Sequence, residues 1–197
     1  MRRVDVIDVG LGNVASVCNS LRKAGVKATV VRSPSEISAE HLILPGVGAF
    51  DAYVEKLELS GFFEFLSNTP DNLKVLGICV GMQVLAEKSE EGTRKGLGLV
   101  PGEVRKIRTS LPLPHLGWNS IEIHADHPVC ESVNPDIGFY YVHGYHFVCE
   151  SNSLIASSDY GGRVGSIVCK GNVCGVQFHP EKSHDNGIKL FSNFASW

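Results

Sequence analysis

Lys74-Val75-Leu76-Gly77-Ile78-Cys79-Val80-Gly81-Met82-Gln83-Val84-Leu85-Ala86 passes from a strand pattern to a helical one with no loop between them. Lys74–Ile78 reads as a buried strand, and Val80–Ala86 repeats its apolar residues at helical spacing. Gly77 and Gly81 stand two positions either side of Cys79. A strand that turns directly into a helix leaves room only for small neighbours, and such a turn lifts its central side chain out of the sheet. Cys79 is thereby placed at a helix N-terminus, where the dipole and unpaired N–H groups favour thiolate over thiol. The Val80 N–H points the same way and can donate to an oxyanion. The competing reading is a core cysteine at a close strand–helix contact.

Outward from this junction, the first half of the chain alternates strands and helices. Val4–Val9 is an apolar run broken by Asp5 and Asp8, followed by Gly10-Leu11-Gly12-Asn13 and by Val14, Val17, Cys18 and Leu21 at helical spacing. Lys27–Val31 and Leu42–Leu44 read as strands, the latter stopped by Pro45-Gly46. Asp51–Leu59 and Gly61–Leu66 read as helices. This order implies a parallel sheet covered on both faces. The second half reads as short strands at Glu103–Ile107, Ser120–Ile123, Phe139–Val142, Phe147–Val148, Leu154–Ser157, Val164–Cys169 and Val173–Gln177. Gly161-Gly162 and Gly171-Asn172 mark turns, and a helix over Asp185–Phe194 closes the chain. The expected fold is α/β: a mostly parallel central sheet flanked by helices, with appended antiparallel strands. No repeat, low-complexity tract or linker interrupts residues 1–197, which predicts a single domain.

Composition agrees with an ordinary folded domain: 197 residues, 43% apolar and 20% charged. Eighteen basic against 21 acidic side chains give a net charge of −3, which argues against a sequence-blind nucleic-acid binder. No run approaches the ~18 apolar residues of a membrane span. Asp5 and Asp8 interrupt the segment after Met1-Arg2-Arg3, so no signal-peptide core is read there and the expected address is the cytosol. The six cysteines, Cys18, Cys79, Cys130, Cys149, Cys169 and Cys174, are scattered without a C-x-x-C pair and are read as free thiols, mostly buried.

A thiolate nucleophile needs a base and a group to orient that base. Val176-Gln177-Phe178-His179-Pro180-Glu181 offers both. The strand ends at His179, Pro180 fixes the turn, and Glu181 can then hold one ring nitrogen while the other exchanges a proton with Cys79. A surface turn is the rival reading of this stretch taken alone. Leu44-Pro45-Gly46-Val47-Gly48 also follows a strand, and its glycines leave backbone N–H groups open for a second oxyanion contact. Alone, it would be an ordinary Pro-Gly turn.

Together, Pro45-Gly46-Val47-Gly48, Gly77-Ile78-Cys79-Val80-Gly81-Met82-Gln83 and His179-Pro180-Glu181 resemble the triad (class I) glutamine amidotransferases, whose core is flavodoxin-like. More narrowly, Gly10-x-Gly12-Asn13, Pro114-His115-Leu116-Gly117-Trp118-Asn119, Tyr141-Val142-His143-x-Tyr145 and Pro180-Glu181-Lys182-Ser183 are similar to the glutaminase subunits of imidazole glycerol phosphate synthases. The resemblance implies a triad of Cys79, His179 and Glu181 that hydrolyses L-glutamine to glutamate and ammonia through a γ-glutamyl thioester. It implies oxyanion donors at Val47 and Val80, and substrate contacts at Gly48, Gln83, Glu91, Gly144 and Tyr145. It also implies a heterodimer with a β/α-barrel cyclase, which Asn13, Trp118, Tyr140 and Lys182 would face. The cyclase would use the ammonia to make imidazole glycerol phosphate and an aminoimidazole carboxamide ribotide in histidine biosynthesis. Gly144 departs from the family's usual hydroxyl residue and Val80 from its usual Leu.

Other readings compete with this one. A stand-alone peptidase or γ-glutamyl hydrolase would use the same elbow, and a related synthase, such as one aminating a surface sugar, would use the same subunit. No cofactor and no metal are expected. His124-x-x-His127 and His143-x-x-His146 place their rings on opposite faces of a strand. His143 and His146 are read as satisfying polar contacts in the hairpin region, and His115 as a structural loop residue. Gly10-Leu11-Gly12-Asn13 fails as a dinucleotide fingerprint, because position 15 is Ala and no acid closes the second strand.

Overall fold

The computed structural model describes residues 2–197. Strands β1 (Arg3–Ile7), β2 (Lys27–Val31), β3 (His41–Gly46) and β4 (Lys74–Cys79) alternate with helices α1 (Val14–Lys23), α2 (Phe50–Leu59) and α3 (Phe62–Ser67). Helix α4 (Val80–Gln83) follows β4 without a break. Val4, Val6, Leu42, Ile43, Leu44, Val75 and Leu76 are fully buried. The inner strands β1, β3 and β4 are covered on both faces and so are buried almost throughout, whereas the edge strand β2 alternates exposed and half-buried positions. The acid that interrupts β1 has a use: buried Asp5 accepts from the Ser38 and Ala39 N–H groups at 2.6 and 2.8 Å.

The second half supplies β5 (Lys88–Ser89), β6 (Glu103–Lys106), β7 (His115–Asn119), β8 (Glu122–Ile123), β9 (Phe139–His143), β10 (Tyr145–Val148), β11 (Leu154–Asp159), β12 (Arg163–Lys170) and β13 (Val173–Val176). Helix α5 (His184–Phe194) ends the chain and packs beside α1. The main sheet runs β2-β1-β3-β4-β13-β12-β10-β6-β5, with β11 and β8 branching from β12. Its five strands from β2 to β13 are parallel. The antiparallel strands attach beyond β13, and β7 and β9 form a separate two-stranded sheet. This is the α/β architecture expected from the sequence.

Several expectations are corrected. Strand β3 continues through Pro45 and Gly46, which pair with Ile78 and Cys79 of β4. Its pairing with β1 stops at Ile43, so the missing Pro45 N–H leaves no ladder bond unmade. Helix α4 stops at Gln83, short of Ala86. The Val84 and Ala86 carbonyls are taken by the Leu97 and Gly98 N–H groups at 2.7 and 3.0 Å. The strand expected at Ser120–Ile123 is reduced to β8, and His115, expected in a loop, lies buried in β7. Cys169 and Cys174, expected as free thiols, form a disulfide. The tight β12–β13 hairpin sets them directly opposite each other, with Cα atoms 4.1 Å apart.

Candidate active site

Parallel pairing of β3, β4 and β13 brings three strand ends together. Cys79 ends β4 with φ 55° and ψ −111°, a left-handed backbone that non-glycine residues rarely adopt. The turn needs its glycines. A Cβ on Gly77 would strike the Gly81 carbonyl, and one on Gly81 would strike the Leu44 carbonyl. Cys79 is nearly buried at 5% exposure and lines a cavity. Because α4 is one turn long, the support it gives a thiolate reduces to its first N–H groups rather than a long-helix dipole.

His179 and Glu181 occupy the turn after β13. The His179 Nδ1 lies 2.8 Å from Glu181 Oε1, with both side chains almost wholly out of water. Nε2 is the nitrogen left for Cys79, beside it but outside the geometry of a formed hydrogen bond. Burial opposes charge on the imidazole, but contact with Cys79 and Glu181 outweighs it and pushes His179 up to about 9. Ser183 clips the turn to β9: its Oγ donates to the His179 carbonyl at 2.6 Å and accepts from the Tyr140 N–H at 3.0 Å.

Val47, Gly48, Val80, Gln83, Glu91, Gly144 and Tyr145 line the same cavity of about 220 Å³ as Cys79 and His179. Glu91 Oε2 accepts from the Phe50 N–H at 2.8 Å, so the first turn of α2 holds its carboxylate at the rim. A side chain at Gly144 would meet open space, so the departure at that position widens the wall rather than relieving a clash. Gln83 is buried, and its Nε2 donates to the Tyr145 carbonyl at 3.2 Å.

Tyr53 and Gln177 had no role in the sequence reading, whereas His143 makes the polar contacts expected of it in the hairpin region. Tyr53 Oη donates to the Pro45 carbonyl at 2.6 Å and anchors the base of the Gly46–Gly48 loop. His143 is part of the cavity wall, and its Nδ1 lies 2.7 Å from the Tyr145 carbonyl. His115 Nδ1 lies 3.0 Å from His143 Nε2, and Gln177 lies fully buried between Gln83 and Cys79. The only sequence signal for Tyr53 and Gln177 was adjacency to a motif.

Trp118 and Tyr140 pair across β7 and β9. Lys182 Nζ sits 5.5 Å from the Tyr140 ring, and Trp118 stacks on His184 at 5.4 Å. Asn13 caps α1, which packs against the Pro180–Lys182 turn. Trp118, Tyr140 and Lys182 therefore gather beside that turn, with α1 packed against it. His124, by contrast, bonds Ser157 Oγ at 2.7 Å, far along the sheet. His127 approaches Cys174 Sγ at 3.7 Å, where both nearby sulfurs are bonded to each other rather than available as thiolate ligands. His146, read as a satisfied hairpin residue, keeps Nδ1 buried without a partner among the described residues.

Residues 5–196 match the family Glutamine amidotransferase class-I. The chain belongs to that family. Among relatives of this amidotransferase, the imidazole glycerol phosphate synthase subunit HisH of Leptospira interrogans is 40% identical, over 98% of this chain and 99% of its own. The HisH subunit of Desulfitobacterium hafniense is 42% identical, over 98% and 94%. Of solved structures, PurLQS from Thermotoga maritima superposes with a TM-score of 0.74 at 20% identity, covering 100% of this chain and 99% of that one. A structure described as a glutamine amidotransferase gives 0.75 at 20% identity, over 98% and 99%. At that identity the two structures speak for the amidotransferase fold alone.

Proposed function

We propose that this amidotransferase is the glutaminase subunit of an imidazole glycerol phosphate synthase. The observation that carries the reading is the left-handed Cys79 at the mouth of a cavity, facing a His179 already paired with buried Glu181. The full-length likeness to subunits of that synthase supports the narrower assignment. In this mechanism the Cys79 sulfur attacks the side-chain amide carbon of glutamine. The oxyanion is met by the Val80 and Val47 N–H groups, and the C–N bond breaks as His179 Nε2–H delivers its proton to the departing ammonia. Water activated by the neutral His179 then attacks the thioester, returning the sulfur and releasing glutamate. Glu181 holds the ring and stabilises its charged form. Glu91 is a fitting partner for the α-ammonium of glutamine, and Gly48, Gln83, Gly144 and Tyr145 for its remaining polar atoms.

Ammonia is passed to a cyclase partner, a β/α barrel in a heterodimer, which makes imidazole glycerol phosphate and an aminoimidazole carboxamide ribotide in histidine biosynthesis. Asn13, Trp118, Tyr140 and Lys182 are the proposed contact. Their grouping around the triad's turn, with Trp118 45% exposed, favours a subunit over a stand-alone γ-glutamyl hydrolase. Residues 1–197 act as one glutamine amidotransferase domain, and the complex works in the cytoplasm. Among the described residues no helix is long and apolar enough to cross a membrane. The experiment is glutamate release with and without the cyclase and its ligand. Release is expected to require Cys79, with Cys79→Ala folded and inactive. Equal release from Cys79→Ala refutes the mechanism, and indifference to the cyclase refutes the partnership.

A further inference from the structure

Gln83 and Gln177 lie end to end beneath the cavity, and both are out of water, at 3% and 0% exposure. The Tyr145 carbonyl can only accept, so Gln83 must present its amide nitrogen there, at 3.2 Å. The second hydrogen of the same nitrogen meets Gln177 Oε1 at 3.1 Å. That fixes which way round Gln177 lies, and its own nitrogen is left 3.8 Å from Cys79 Sγ. Turning Gln177 over would set nitrogen against nitrogen at one end and an oxygen against the sulfur at the other.

The origin of the chain is locked as well. The Tyr145 carbonyl also faces His143 Nδ1 at 2.7 Å, so that nitrogen carries the proton and Nε2 accepts from His115 Nδ1–H at 3.0 Å. Asn119 Nδ2 closes the series on His115 Nε2 at 3.2 Å. Burial drives His115 and His143 down to about 4 and about 3, so both rings are neutral and the sequence of donors and acceptors holds at neutral pH.

We propose that Gln177 is a further group of the glutaminase reaction, its side-chain N–H aimed at the Cys79 sulfur by a one-way hydrogen-bond chain starting at the Tyr145 carbonyl. The inference rests on Cys79 being the nucleophile. Gln177 exchanges no proton. It presents a donor to the sulfur while that sulfur carries charge, before attack and again when the thioester is cleaved. The chain also ties the cavity wall at Tyr145 to the nucleophile through two buried side chains. A purely structural Gln177 would do no more than satisfy Gln83.

The test is the rate of Cys79 alkylation by iodoacetamide, resolved by mass spectrometry from Cys18, Cys130 and Cys149, in the full chain and in Gln177→Met and Gln177→Glu. Kinetics with glutamine and the cyclase present accompany it. Gln177→Met is expected to slow Cys79 alkylation about tenfold, the low end for a hydrogen bond to a charged group. The other three cysteines are expected to be unchanged. Gln177→Glu keeps the side chain's size and shape and the acceptor for Gln83 but replaces the donor nitrogen by oxygen, so KM is expected to stay within about twofold while kcat falls. Its loss is expected to deepen as pH rises and the new carboxyl ionises against the sulfur. Gln177→Glu carries the test if Gln177→Met does not fold. Folded variants whose Cys79 reacts at the wild-type rate overturn the inference. A wild-type Cys79 no more reactive than Cys18 is a different result: it overturns the nucleophile assignment on which the inference rests.

Discussion

Glu181 and His179 meet at 2.8 Å with almost no water on either side chain, so Glu181, together with Cys79, answers the charge on the ring. Glu181→Gln keeps the shape and removes that charge. The expected result is a folded protein whose kcat drops about a hundredfold or more with KM little changed, because Glu181 stands behind His179 and not against the cavity. The same pair sets a pH dependence. His179 is raised from its ordinary 6.5 to about 9 by Cys79 and Glu181 acting against burial. A raised histidine adds stability that is fully present below its unfolded value and is withdrawn as pH climbs through the folded one. The contribution is therefore present at pH 6 and gone above about 9. Acylation, which needs the imidazolium to protonate ammonia, is expected to follow: kcat/KM declines as pH rises past about 9, and in Glu181→Gln the decline begins at lower pH. A profile identical in both proteins contradicts this assignment. The meeting of Cys79, His179 and Glu181 was legible in sequence because the elbow demands Gly77 and Gly81 and Pro180 starts the turn that carries Glu181 back to His179. Gln177 was not, since only the register of β13 against β4 and the fold of the chain around Tyr145 give its amide a direction.

Element by element, what the sequence conveyed were the features that a few residues decide alone. The inner parallel strands were readable as buried apolar runs, and the β4–α4 elbow was readable from its glycines. The length of α4 was not, because it is ended by the 97–98 segment, which claims the Val84 and Ala86 carbonyls from far along the chain. The Cys169–Cys174 bond was equally hidden, since it depends on hairpin register rather than on a cysteine motif. The elbow is also where a small change has a large effect. In Gly81→Ala the new methyl runs into the Leu44 carbonyl, backbone that cannot rotate away. Overpacking of this kind typically costs about 1–3 kcal/mol. A urea midpoint lowered correspondingly is expected, with glutaminase activity falling further than stability because the displaced strand end carries Cys79. A variant as stable and active as wild type would mean that β3 and α4 are not in the contact described.

At the scale of the whole molecule, the proposed partner surface and the proposed oxyanion loop are linked through one short turn. Lys182, Tyr140, Trp118 and His184 form stacked and cation–π contacts on its outer side, and His179 and Glu181 belong to the turn itself. Across the cavity, Val47 is 38% exposed, Gly48 takes φ +99°, and Tyr53 fixes the Pro45 carbonyl at the loop's base. The loop is thus held at one end, and the expected motion is rotation of the Gly46–Val47 peptide, just past the last β3–β4 pair, which exchanges a carbonyl for the Val47 N–H. Val80, at the elbow, is the other donor of the proposed oxyanion hole. A loop resting without the Val47 donor forgoes about 3 kcal/mol of transition-state stabilisation, a slowing of more than a hundredfold, and spares glutamine while no acceptor for ammonia is present. A partner shifts that balance only as far as it binds the active loop state better than the resting one. The expectation is slow glutamine hydrolysis by the isolated chain and a rate raised by orders of magnitude when the cyclase and its ligand are added. Lys182→Ala removes one contact from the turn and is expected to weaken the activation about five- to tenfold, the lower range of couplings between sites, without altering the isolated chain's slow rate. Steady-state glutamate release by the two proteins, each with and without the cyclase, decides it: full activity in the isolated chain, unchanged on adding partner and ligand, eliminates gating and makes a stand-alone hydrolase the better reading of the same site.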